Sequence, residues 1–135
     1  MVQVTECKLT IPTYREPEAE EMPMFAESRV HQRTSGNPYP NHIVLEVDRQ
    51  HREDKENHCV RLENEYLRLK ILPELGGRIY SAYDKTTGYD FFYKQHVIKP
   101  ALIGCLGSWV SGGLEFNWPF HPSASTYMPT DYSIE

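Results

Sequence analysis

The sequence predicts an all-β chain folded as an antiparallel β-sandwich. Three observations carry that expectation. Apolar and polar residues alternate with period two over residues 67–71 and again over residues 78–84. Pro12, Pro17, Pro23, Pro38 and Pro40 punctuate the first part of the chain and rule out a long helix there. Lys85-Thr86-Thr87-Gly88 reads as a hairpin loop, with Gly88 supplying a positive φ, and it leads into the aromatic run Tyr89-Asp90-Phe91-Phe92-Tyr93.

Each element follows in order. Residues 2–11 alternate weakly and read as a strand that ends at Pro12. Residues 14–40 read as an extended arm or meandering loop, acidic at Glu16, Glu18, Glu20 and Glu21 and anchored by Met22, Met24 and Phe25. Ser35-Gly36-Asn37-Pro38 is a turn signal, and residues 42–47 a short strand. Residues 48–58 are polar throughout with mixed charge, which predicts a solvated loop. Val60 and Leu62 form the apolar side of a strand closed by Glu63-Asn64-Glu65. Leu67, Leu69 and Ile71 alternate with Arg68 and Lys70 in the next. After a turn at residues 73–77, Ile79 and Tyr83 share one side of a third strand, so a three- or four-stranded meander is expected. Residues 96–106 are apolar but broken by Pro100, as a loop crossing the core or a very short helix. Residues 109–118 form a Gly-punctuated turn or strand, and residues 126–134 are weakly strand-like. The chain divides into an N-terminal strand, arm and polar loop (1–57) and a meander with a GGLEFNWP block (58–135), within one domain.

Composition narrows the partners. The chain has 135 residues, 14 basic against 19 acidic, and a net charge of −5. It has no basic stripe, so nucleic acid is not an expected partner. Cys7, Cys59 and Cys105 are widely spaced and odd in number, which favours reduced, buried thiols over a disulfide framework or zinc knuckle. The start lacks the basic and apolar regions of a signal peptide, and no window has the length of an apolar membrane span. A cytoplasmic protein without membrane partners is expected. No P-loop, dinucleotide fingerprint or nucleophile elbow is present, and the histidines show no metal-ligand spacing, so neither cofactor nor metal is expected.

The chemistry-bearing residues lie late in the chain. Arg78 follows Gly76-Gly77 at a strand entrance. It reads either as a donor to ligand hydroxyls or as a surface residue paired with Glu74 or Asp84, the second being the commoner case. In the block of residues 111–119, Glu115 and Asn117 share one face of an extended chain and Leu114, Phe116 and Trp118 the other. A carboxylate beside an amide both accepts from and donates to sugar hydroxyls, or simply forms a polar outer face. His121, on a loop between Pro119 and Pro122, offers an imidazole able to move protons near neutral pH, or is a surface residue. Trp109, Trp118 and Tyr127 offer flat faces for a pyranose or for the core, with alternation placing Trp118 in the core. Asp131 could join Glu115 as a carboxylate pair of the glycosidase kind.

The blocks LENEYLRLKILPELGGRIYSAYDKTTGYDFFY and VIKPALIGCLGSWVSGGLEFNWPFH resemble an uncharacterised bacterial family whose domain stands near the N-terminus, often ahead of tetratricopeptide repeats. That family is similar to the galactose-mutarotase-like superfamily, a large supersandwich of antiparallel sheets. Members include aldose and hexose-phosphate epimerases and sandwich domains of glycoside hydrolases and polysaccharide lyases. The resemblance implies a carbohydrate ligand. It matches Arg78 to the family's Arg after the Gly pair, and Glu115, Asn117 and His121 to the polar part of the second block. Where the family continues with a second His and an Arg, this chain has Pro122 and Ser123.

The expectation is therefore an incomplete galactose-mutarotase-like supersandwich that binds or processes carbohydrate by acid/base chemistry at a sugar ring. His121 and Glu115 would be the catalytic pair, with Arg78, Trp109, Asn117 and Asp131 binding substrate. The alternatives are a non-catalytic sugar-binding module and a scaffold domain that contacts helical repeats. An uncovered sheet face also predicts self-association and little activity for the isolated chain.

Overall fold

The computed structural model describes residues 1–15, 48–102, 108–116 and 129–135. The Pro-rich arm, the strand expected at 42–47, and Asn117, Trp118, His121 and Tyr127 lie outside the described residues. Among the described residues the chain runs β1 (Gln3–Tyr14), β2 (Arg52–Glu63), β3 (Leu67–Leu72), a 3-10 turn (Pro73–Leu75), β4 (Arg78–Asp84), β5 (Tyr89–Asp90), β6 (Ala101–Leu102) and β7 (Ser108–Trp109). β1 to β5 form an open antiparallel sheet in sequence order, and β6 pairs with β7 apart from it. The chain is thus mostly β, as its alternation predicts.

β1 and β2 pair over their full lengths, from Gln3 opposite Glu63 to Tyr14 opposite Arg52. This corrects the solvated loop expected at 48–58. The first half of β2 shows no apolar period because the backbone ladder to β1, not a buried face, holds it. Its exposed side chains carry charge pairs instead, such as Lys8 with Glu56 at 2.6 Å. Its one deeply buried side chain there is polar: Asn57 donates to the Lys55 carbonyl at 3.1 Å. β1 also runs through Pro12, where the sequence predicts an end. The Pro12 carbonyl accepts from Ile98 N at 2.8 Å on the far side from β2. The Pro12 nitrogen faces the same way, so its missing N–H costs the β1–β2 ladder nothing.

The two faces differ. Ile11, Cys59, Leu72, Leu75, Ile98 and Val110 form the core on one, with Cys7, Leu9 and Tyr80 packed against it. On the other, Val60, Leu62 and Ile71 line an apolar cavity of about 300 Å³ closed by Thr130, Tyr132 and Ile134 of the terminal segment. That segment is tied down by Thr130 N donating to the Pro73 carbonyl at 2.9 Å and Tyr132 Oη donating to Glu6 at 2.6 Å.

The aromatic run 89–93, strand-like throughout by composition, is a strand only at its start. β5 stops at Asp90, and Tyr89, Phe91 and Tyr93 are exposed. Phe91 N still donates to the Ala82 carbonyl at 2.9 Å, and the Asp90 carboxylate supplies the rest: it accepts from Ser81 Oγ at 2.5 Å and from Ala82 N at 3.0 Å. Burial pushes the Asp90 carboxyl up, but the bonds from Ser81, Ala82 and Phe92 and the Lys94 charge outweigh it and hold the group below the ordinary range. The bond from Lys85 leads in holding Glu63 low as well. A carboxyl depressed in the fold adds stability that is complete above its unfolded pKa and lost as pH falls through the folded value. The urea midpoint should therefore drop as pH falls below about 4. Asp90→Asn should flatten that drop, and an unchanged profile would remove Asp90 from the account.

Candidate functional site

The site begins with one bridge. β5 covers the outer edge of β4 only at Tyr83 and Asp84, and at Ile79 the edge is taken by Leu114 instead. Ile79 N donates to the Leu114 carbonyl at 3.0 Å, and Leu114 N returns a bond to the Ile79 carbonyl at 2.9 Å. In an antiparallel bridge the flanking residues also oppose each other, so Arg78 meets Glu115 on one face. Close approach depends on Gly113, whose φ is 71°. A Cβ there would stand 2.5 Å from the Ile79 carbonyl oxygen.

Arg78 is only 3% exposed. Its Nη2 donates to Glu115 Oε2 at 3.0 Å, and its Nη1 donates to the Gly112 carbonyl. Its Nε finds no acceptor among the described residues. Burial pulls the Arg78 guanidinium down from its ordinary pKa, against the opposing pull of Glu115. This placement corrects the reading of Arg78 as a surface residue paired with Glu74 or Asp84.

Trp109 Nε1 donates to the same Glu115 oxygen at 3.1 Å. Glu115 is therefore a shared acceptor that fixes the Trp109 indole against the Arg78 guanidinium. Beyond the indole lies a cavity of about 280 Å³, close to the lower limit of about 300 Å³ for small-molecule pockets. It is lined by Trp109, Gln95 and Ser111, by the cations Arg49 and Lys99, and by the apolar Val97, Pro100 and Ala101. Gln95 Nε2 donates to Ser111 Oγ at 2.8 Å, and the Gln95 carbonyl accepts from Tyr80 Oη at 2.7 Å, so these groups are held in place. Gln95 and Ser111 were not singled out in the sequence. Ser111 stands two residues from Trp109 at the head of the 111–119 block, whereas nothing in the local pattern marks Gln95, which long-range bonds from Tyr80 and to Ser111 bring beside Trp109.

The structure thus unites Arg78, Trp109 and Glu115. Asp131 is exposed on the terminal segment and is not among the residues lining the Trp109 cavity. Asn117 and His121 lie outside the described residues. Phe116, expected on an apolar face with Leu114, is 53% exposed. A single bridge sets Leu114 in place, and no continuing ladder carries the period to Phe116.

The crystal structure, at 2.26 Å resolution, of a TPR-domain containing protein from Parabacteroides distasonis ATCC 8503 is similar in fold. The TM-score is 0.77 and the sequence identity 25%, over 99% of this chain and 22% of that one. This chain spans about a fifth of the length of that protein. The family model described as a domain of unknown function, DUF5107, matches residues 35–135. A match over that share of the sequence places the chain in a family, and the chain belongs to the DUF5107 domain family.

Proposed function

We propose that this domain binds carbohydrate, with its sheet forming one layer of a galactose-mutarotase-like sandwich. The observation that carries the reading is the indole of Trp109. Its N–H is held by Glu115 while its ring lines a cavity in which Gln95 and Ser111 are hydrogen-bonded to each other and Arg49 and Lys99 add cationic donors. A fixed aromatic face beside amide and hydroxyl groups suits a sugar ring, which is apolar on its faces and polar at its rim. Glu115 acts by holding Trp109, since one carboxylate oxygen already accepts from two donors. Binding is therefore favoured over acid/base catalysis through Glu115, and His121 is left as the proton-transfer candidate.

A thermal-shift panel of monosaccharides and oligosaccharides tests the reading. At least one sugar should raise the melting temperature, and Trp109→Ala should shrink that rise at the same sugar concentration. Stacking of this kind contributes on the order of 1 kcal/mol, about a fivefold loss in affinity on truncation. A panel without any shift would remove the carbohydrate reading. The likeness to a TPR-domain containing protein supports a second reading, in which the domain is a scaffold that contacts helical repeats. Co-purification of the domain with a separately expressed repeat segment would favour it.

A further inference from the structure

We infer that Cys7 and Cys59 form a redox-active pair that closes to a disulfide under oxidising challenge. Their spacing in sequence favours two independent reduced thiols, but the register of β1 and β2 sets them directly opposite each other. The backbone identifies the kind of pairing. The Pro12 carbonyl and the Tyr14 N–H both turn outward to Ile98, so the even-numbered residues of β1 point their backbone groups away from β2. The odd-numbered residues therefore face β2, and Cys7 and Cys59 occupy a hydrogen-bonded site. Cα atoms at such a site lie about 5.5 Å apart, within the Cα range of a disulfide, while the Cβ atoms must close from about 5.5 Å to about 4 Å, so the bond pinches the strands together and stays readily reducible. Both side chains turn to the core face, where Cys59 belongs to the core cluster and Cys7 packs against it.

Access is unequal. Cys59 is fully buried and Cys7 half-buried, so an oxidant reaches Cys7 first. With glutathione disulfide, the Cys7 thiolate attacks one sulfur, forming a mixed disulfide and releasing one glutathione thiolate. The Cys59 thiolate then attacks the Cys7 sulfur, forming the intramolecular bond and releasing the second glutathione. Two protein thiols are oxidised and one glutathione disulfide is reduced to two thiols. Burial, with Cys7 alongside, pushes the Cys59 thiol up to about 12, so the second step should accelerate as pH rises. The bond would tie the edge strand to its neighbour and close the chain between them into a loop.

The test is a non-reducing peptide map of the whole folded chain after incubation with glutathione disulfide. The expected product links the Cys7 and Cys59 peptides and leaves Cys105 free. The oxidised chain should melt higher by about 10 °C, and dithiothreitol should reverse the gain. Cys59→Ser should stop the reaction at the mixed disulfide on Cys7. Three results on the wild-type chain would each overturn the inference: a mixed disulfide on Cys7 that never resolves, a link from either residue to Cys105, or a disulfide dimer.

Discussion

Gly113→Ala should lower stability by about 3 kcal/mol and the melting temperature by about 10 °C. Two costs combine. An alanine at φ 71° sits in the left-handed region, at a cost of about 1–2 kcal/mol. Its Cβ would also stand 2.5 Å from a backbone oxygen that cannot swing aside, because the Ile79 carbonyl is bonded to Leu114 N. Relief comes from pushing residues 113–115 off the edge of β4, which separates Glu115 from Arg78. Gly88→Ala is the control. Gly88 has a similar φ of 73°, but the nearest atom to its Cβ would be Tyr83 Oη at 3.7 Å. That variant should lose only about 1–2 kcal/mol. Equal losses in the two variants would show that close approach at Gly113 is not what holds the site together.

Glu115→Ala should be similarly damaging, by about 3 kcal/mol, because it leaves the Arg78 guanidinium buried without its carboxylate. The partial exposure of Glu115, 21%, keeps the expected loss at the low end for a buried pair. Replacing both partners, as in Arg78→Met with Glu115→Met, should cost less than Glu115→Ala alone, since no buried charge remains. Glu115→Gln should fall between, because its amide oxygen can still accept from Trp109. Urea unfolding of the four proteins measures the order. A double variant less stable than Glu115→Ala would mean that the pair is held by surrounding contacts rather than by its own charges.

Much of the sheet was legible in the sequence, and the reasons are local. Leu69 and Ile71 alternate because they stand opposite Leu62 and Val60 on one half-buried apolar face, and Gly88 marks the hairpin because a left-handed turn is required there. β2 shows where local reasoning fails. Its first half is a strand because Arg52 to His58 face β1 along a shared ladder, a long-range fact that leaves no apolar period behind. The site divides in the same way. Residue chemistry pointed to Arg78, Trp109 and Glu115, but not to their arrangement. Arg78 looked exposed because a GGR turn gives no sign of burial, and its partner lies 37 residues away. Gln95 joins the site because Tyr80 Oη and Ser111 Oγ hold it there.

The Trp109 cavity is the proposed saccharide site. The most direct measurement is a ¹H–¹⁵N spectrum of the labelled chain, titrated with the sugars of the thermal-shift panel and assigned with a Trp109→Phe variant. The account predicts that the Trp109 indole N–H and the Gln95 side-chain amide move together and saturate. A titration in which both stay fixed, while signals from Val60, Leu62 or Tyr132 on the opposite face shift, would contradict it.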